Sequence, residues 1–273
     1  MSAPTVELAR QTLPGHYGMA GLLRSEWTKL RTVRSTMWTL GAIIVLGLGL
    51  SAIATAETAA HWSTMAAGSR ASFDPTQTSL IGIAFGQLVI GILGVLVMSG
   101  EYGTGTIRAT FSAAPRRPMV LLAKAGVFAV VSLVVAELVS FLAYFLGQAL
   151  LSSSAPHTTL GDPGALRAVA GAGLYLCVLG LFALGLATII RHTAGAISAF
   201  VGTLLVLPLI VTALPSSIGN DVRPFLPANI GNSITSLYPG MHSFAPWTGF
   251  AVLCGYAALS LVIGGVLLVR RDA

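Results

Sequence analysis

Six stretches of about twenty consecutive apolar residues, each nearly free of charge, constrain this chain more than any other feature. A helix rises about 1.5 Å per residue, so each stretch is long enough to cross a hydrocarbon layer roughly 30 Å thick. The stretches are unbroken rather than strictly alternating, which excludes a transmembrane β-barrel. Charged residues make up only 9% of the 273 residues and the mean hydropathy is +0.83. Soluble domains carry about 25% charge, so a water-soluble globule is excluded too. The sequence therefore predicts an all-α integral membrane protein with spans at 36–56, 79–99, 125–151, 168–190, 196–214 and 247–269.

Residues 1–18 have no hydrophobic period and read as a tail, as does 270–273. Residues 19–35 read differently. At 100° per residue, Met19, Leu22, Leu23, Trp27, Leu30, Val33 and Met37 share an arc of roughly 140°, and Arg24, Lys29 and Arg31 lie outside it. That pattern predicts an amphipathic helix lying along the membrane surface, with Trp27 at headgroup depth. Glu26 breaks it, projecting from the middle of the apolar arc. Two partners are open to it: Lys29 one turn on, or a basic group in the segment 101–124. The first apolar run exceeds the h-region of a secretory signal and follows 35 residues too charged for an n-region, so it reads as a retained span.

Orientation follows from the basic residues. With both termini inside, the inner segments hold twelve: Arg10, Arg24, Lys29, Arg31, Arg34, Arg108, Arg116, Arg117, Lys124, Arg191, Arg270 and Arg271. The outer segments hold three: Arg70, Arg167 and Arg223. This is a strong positive-inside bias, which places both termini and the segment 101–124 in the cytosol. The longest outer segment, 215–245, contains a short amphipathic stretch at 228–237, and Pro208 predicts a kink in the fifth span.

Soluble-enzyme chemistry finds no foothold. The five histidines are scattered over both sides of the membrane, and no HExxH, GxSxG or GxxxxGK[ST] occurs. Cys177 and Cys254 form no CxxC pair. The net charge of +6 comes from basic residues flanking apolar runs, so it points to lipid headgroups and not to nucleic acid. Glu137 stands in the third span, and on a helical wheel Glu137, Ser140, Tyr144 and Gln148 occupy an arc of roughly 80°. The stripe reads either as a helix-joining hydrogen-bond set or as a polar lining of a translocation path.

Residues 101–124, EYGTGTIRATFSAAPRRPMVLLAK, form a polar island between the second and third spans. Its order of features is an acid, Glu101; a Gly-Thr step, Gly105-Thr106; a bulky apolar residue, Phe111; a proline, Pro115; a basic pair, Arg116-Arg117; and Lys124 at the next span. In this order, and in the preceding Ser25–Thr32 stretch SEWTKLRT, the chain resembles the permease subunits of type-2 ATP-binding-cassette exporters, especially actinobacterial ones. The topology agrees along nearly the whole chain.

That resemblance implies a bacterial plasma-membrane permease exporting a drug-like, lipid-like or other amphipathic molecule. It implies a short coupling helix, here at 105–114, docked on a separate cytosolic ATPase that binds the ATP and magnesium. No cofactor is expected in this chain. Thr104 or Thr106 would cap the helix and Pro115 would end it. Ile107 and Phe111 would form its docking face, with Arg108 and Arg117 available to acidic groups or lipid, and Glu26, Trp27, Lys29 and Arg31 on the interfacial helix beside it. A second permease copy, identical or related, would complete the transporter. Two other readings stay open on the residues alone: an ion-coupled secondary transporter using Glu137, and a non-transporting membrane anchor or immunity protein.

Overall fold

The computed structural model describes residues 18–113, 116–238, 240 and 243–270. The tails 1–17 and 271–273, and Ala114 and Pro115, lie outside the described residues. The described residues contain helices and no β-strand. They begin with α1 (Met19–Thr32) and α2 (Arg34–His61), then two short helices, α3 (Ala67–Ala71) and α4 (Pro75–Ser79). Next come α5 (Ile83–Gly103), the short α6 (Thr106–Ala113) and α7 (Arg117–Leu151). They continue with α8 (Ala165–Ile190), α9 (Thr193–Val201), α10 (Leu207–Thr212), α11 (Ser216–Val222), α12 (Pro227–Thr235) and α13 (Pro246–Arg270). Six helical segments are long and apolar enough to span a membrane: α2, α5, α7, α8, the run Thr193–Thr212 formed by α9 and α10, and α13. The chain is thus a multi-pass all-α membrane protein.

The fifth span is locally underwound and widened. Residues Gly202–Val206 form a π-helical turn between α9 and α10. Pro208 lacks an N–H and its ring presses on the carbonyl four residues earlier, at Leu204. The wider π turn absorbs that clash inside the span. The predicted kink site is therefore a π bulge.

Helix α8 is the hub, packing against α5, α7, α9, α12 and α13. Its membrane window is 61% buried, against 22% for α2 and 28% for α13. Small residues make this crowding possible. A Cβ on Gly94 of α5 would overlap the carbonyl of Gly180 on α8, and one on Gly180 would lie 2.8 Å from the Phe128 ring of α7. The α5 and α8 backbones meet there, with the Phe128 ring of α7 against them, because neither glycine has a side chain. Phe128 and Ile90 close the layer at 1% and 0% exposure.

At the end away from α6, polar side chains stitch the connections together. Asp74 caps α4 by accepting from the Gln77 N–H at 2.9 Å, and its other oxygen accepts from the Leu237 N–H at 2.7 Å and the Ser236 hydroxyl at 3.1 Å. Arg167 donates to the Ser236 carbonyl. The segment leading to α13 is thereby tied to the one leading to α5.

Gly94→Ala forces a methyl against backbone that has no rotamer with which to yield. It should lower unfolding stability in detergent by about 1–3 kcal/mol. Gly126→Ala, where a Cβ meets nothing within 4 Å, should be neutral in the same thermal assay.

Candidate functional site: the α6 junction

Helix α6 starts from a turn that its sequence specifies. Gly105 has φ +71°, a conformation costly for a residue with a Cβ, and the Thr104 and Thr106 hydroxyls pair at 2.9 Å across it. The helix then runs Thr106–Ala113. Its two large apolar residues face inward: Ile107 is 3% exposed and Phe111 9%, both within the core. These are the two residues expected to form the docking face, and the bundle buries both. An apolar stripe on a surface helix buries against the nearest apolar surface, and here that surface is the chain's own bundle. The face left open carries Thr106, Arg108, Ala109 and Ser112.

Four charges from three helices meet beside α6. Lys29 of α1 lies 2.7 Å from Glu26 and 2.8 Å from Glu101 at the end of α5. Lys124 of α7 lies 2.5 Å from Glu26 and 2.7 Å from Glu101. Lys124, Glu26 and Glu101 are 2%, 3% and 9% exposed. Two acids and two bases sum to zero, which is the condition for keeping charges out of water. The cluster grips both arms of the loop that carries α6, before it at Glu101 and after it at Lys124, and fastens them to α1.

Both partners open to Glu26 in the sequence are therefore realised, one at each carboxyl oxygen. Its place in the apolar arc follows: α1 packs on α7 through Leu22, Glu26 and Leu30, while Met19, Leu23 and Trp27 remain exposed. Arg31 is exposed as well. Burial works against the charge on Lys29, but Glu101 and Glu26 outweigh it and raise its pKa above the ordinary 10.5. A raised lysine value contributes fully below the unfolded pKa and is lost only as pH climbs through the folded one. The pairing is intact across neutral pH.

A second tie joins α6 to the last span. Arg117 donates to the Leu268 carbonyl at 2.8 Å, with its guanidinium 5.3 Å from the Phe111 ring centre. Arg191, in the turn between α8 and α9 with φ +60°, donates to the Leu267 carbonyl at 2.9 Å and lies 5.6 Å from the Tyr102 ring centre. Both carbonyls belong to the last turn of α13, where intrahelical donors run out and the helix dipole favours cations. Arg191 and Lys124 were not singled out as site residues from the sequence. A basic residue in the shortest inner turn, and a lysine opening a span, were the available signals.

The polar stripe on α7 divides. Tyr144 donates to the Thr158 carbonyl at 3.0 Å. Gln148 donates to the Pro75 carbonyl and the Ser79 hydroxyl, and accepts from the Thr158 N–H. These two hold connections at the end away from α6; Ser140 is fully buried, and its hydroxyl has no hydrogen-bond partner among the described residues. Glu137 stands apart: its carboxylate lies beside Gly173 of α8, and its Oε2 has no hydrogen-bond partner among the described residues. The structure does not bring these four to the α6 junction.

Lys124→Met leaves two buried carboxylates facing one lysine and should cost about 3–5 kcal/mol of unfolding stability. Adding Glu101→Gln restores neutrality, so the double variant should lose clearly less than the sum of the single losses in a double-mutant cycle.

No curated protein matches the chain. Residues 22–218, from α1 into α11 and including the whole junction on α1, α5, α6 and α7, match the family model described as ABC-2 family transporter protein. With that match covering most of the chain and six apolar helices behind it, the chain belongs to the ABC-2 transporter family and is the membrane-spanning permease subunit of an ABC transporter.

Proposed function

We propose that this permease exports an amphipathic molecule from a bacterial cell, driven by ATP hydrolysis in a separate cytosolic ATPase, with two permease copies per transporter. In this reading both termini and α6 are cytosolic, and the chain itself has no catalytic role and holds no cofactor. The observation that carries it is the double fastening of α6. The ion cluster links its arms to α1, α5 and α7, and Arg117 links Phe111 to the end of α13. A push on α6 is therefore delivered to several spans rather than absorbed by a loose loop. The ATPase meets the open face, where Arg108 is the exposed charge and Ala109 and Ser112 are small enough for close approach.

Arg108→Glu should reduce capture of the ATPase about tenfold or more in co-purification, with the melting temperature of the permease unchanged. Ile107→Asp should lower both, because that side chain holds α6 to the bundle. Loss of stability in Arg108→Glu, or full ATPase capture by it, counts against this face as the docking surface.

Among the described residues Glu137 is the one acid in mid-span, partly buried against the hub helix. We assign it to the translocation path, where an intramembrane carboxylate is costly unless used. Glu137→Gln should slow ATP-driven transport in vesicles while leaving assembly with the ATPase intact. Transport by a proton gradient without any ATPase would overturn the assignment of the energy source.

A further inference from the structure

Beside the ion cluster is a cavity of about 460 Å³ at the elbow between α1 and α2, closed on its other side by α5. Its walls are of two kinds. Leu30, Val33, Leu96 and Val97 supply an apolar side, and the cluster with Thr36 supplies a polar one. Several polar groups there are unused. Among the described residues the hydroxyl of Thr36, 4% exposed, has no hydrogen-bond partner, and Glu101 Oε2 is buried without a donor. Lys29 spends two of its three N–H bonds on carboxylates. Helix α2 has no side-chain cap, and no acceptor meets the N–H groups of Arg34 and Ser35 among the described residues.

We propose that this cavity binds the headgroup of an aminophospholipid from the leaflet on the α6 side. The phosphate takes the free N–H of Lys29, the Thr36 hydroxyl and the first turn of α2, a geometry suited to anions. The ammonium donates to Glu101, and the acyl chains leave over the apolar wall. Charge balance selects this chemistry. The cluster sums to zero, so a lone cation or a lone anion would leave net charge in a partly dry site, whereas a zwitterion does not. A choline head is zwitterionic too, but its methylated nitrogen has no N–H for Glu101.

The test is lipid retention by the full-length permease purified from vesicles containing equal phosphatidylethanolamine, phosphatidylcholine and phosphatidylglycerol, read by native mass spectrometry. Phosphatidylethanolamine should be retained about tenfold over the other two. Ser35→Asp places a carboxylate on the first turn of α2, which suits the helix and repels phosphate. It should abolish the preference without lowering the melting temperature. Val97→Trp should do the same by filling the cavity from the apolar side. Equal retention of the three lipids, or a preference untouched by Ser35→Asp, overturns the site. Tight binding of soluble glycerophosphoethanolamine with no lipid retained overturns the lipid as occupant. None of these readouts involves the ATPase, so failure here is separable from failure of the coupling assignment.

Discussion

Charge in an apolar protein is tolerated only when it is paired, and the α6 junction depends on that rule. Glu26, Lys29, Glu101 and Lys124 come from α1, the end of α5 and the start of α7. None of the three buried members has a reason to be where it is without the others. Their mutual neutralisation fixes where α1 lies, how α5 ends and how α7 begins. The position of α6 follows, because it is strung between two of the four charges.

The junction also shows how a helix of eight residues can be held firmly. Such a helix is marginal alone, since nucleation is costly and few intrahelical bonds repay it. Here Ile107 and Phe111 bury its inner face, Gly105 sets its starting turn, and Arg117 bridges from Phe111 to the end of α13. The two arginines at Leu267 and Leu268 use an unavoidable feature of helices, the bare carbonyls of a last turn, as attachment points. At the opposite end Asp74, Gln148 and Arg167 bind the connections to one another. The bundle is thus stitched by polar groups at both ends and packed by small residues in the middle, as expected where lipid removes the ordinary hydrophobic drive between helices.

Much of this was legible beforehand. Apolar run length is a local property, so six spans could be read directly, and Pro208 marked its distortion in advance. Glu26 was legible as an anomaly, though a wheel shows only which way a side chain points and not what waits there. Ile107 and Phe111 illustrate the opposite case. Their shared face was readable, but whether that face meets a partner or the chain's own bundle depends on the nearest apolar surface, which a one-dimensional pattern does not contain. The stripe on α7 behaves likewise: Tyr144 and Gln148 lie one turn apart as the spacing implied, yet the groups that satisfy them come from α4 and Thr158.

The sequence by itself determined the class of fold, its six membrane-crossing segments, the polar island between the second and third, and the resemblance that the family match carries through. These rest on composition and period, which are set by neighbours in the chain. Only the tertiary structure decided that α8 is the hub, that Glu26 serves two lysines, that Arg117 and Arg191 finish α13, and that α6 turns Arg108 outward with Phe111 inward. Each of those is a choice among partners distant in sequence, made by the need to pair every buried charge and cover every apolar face at once.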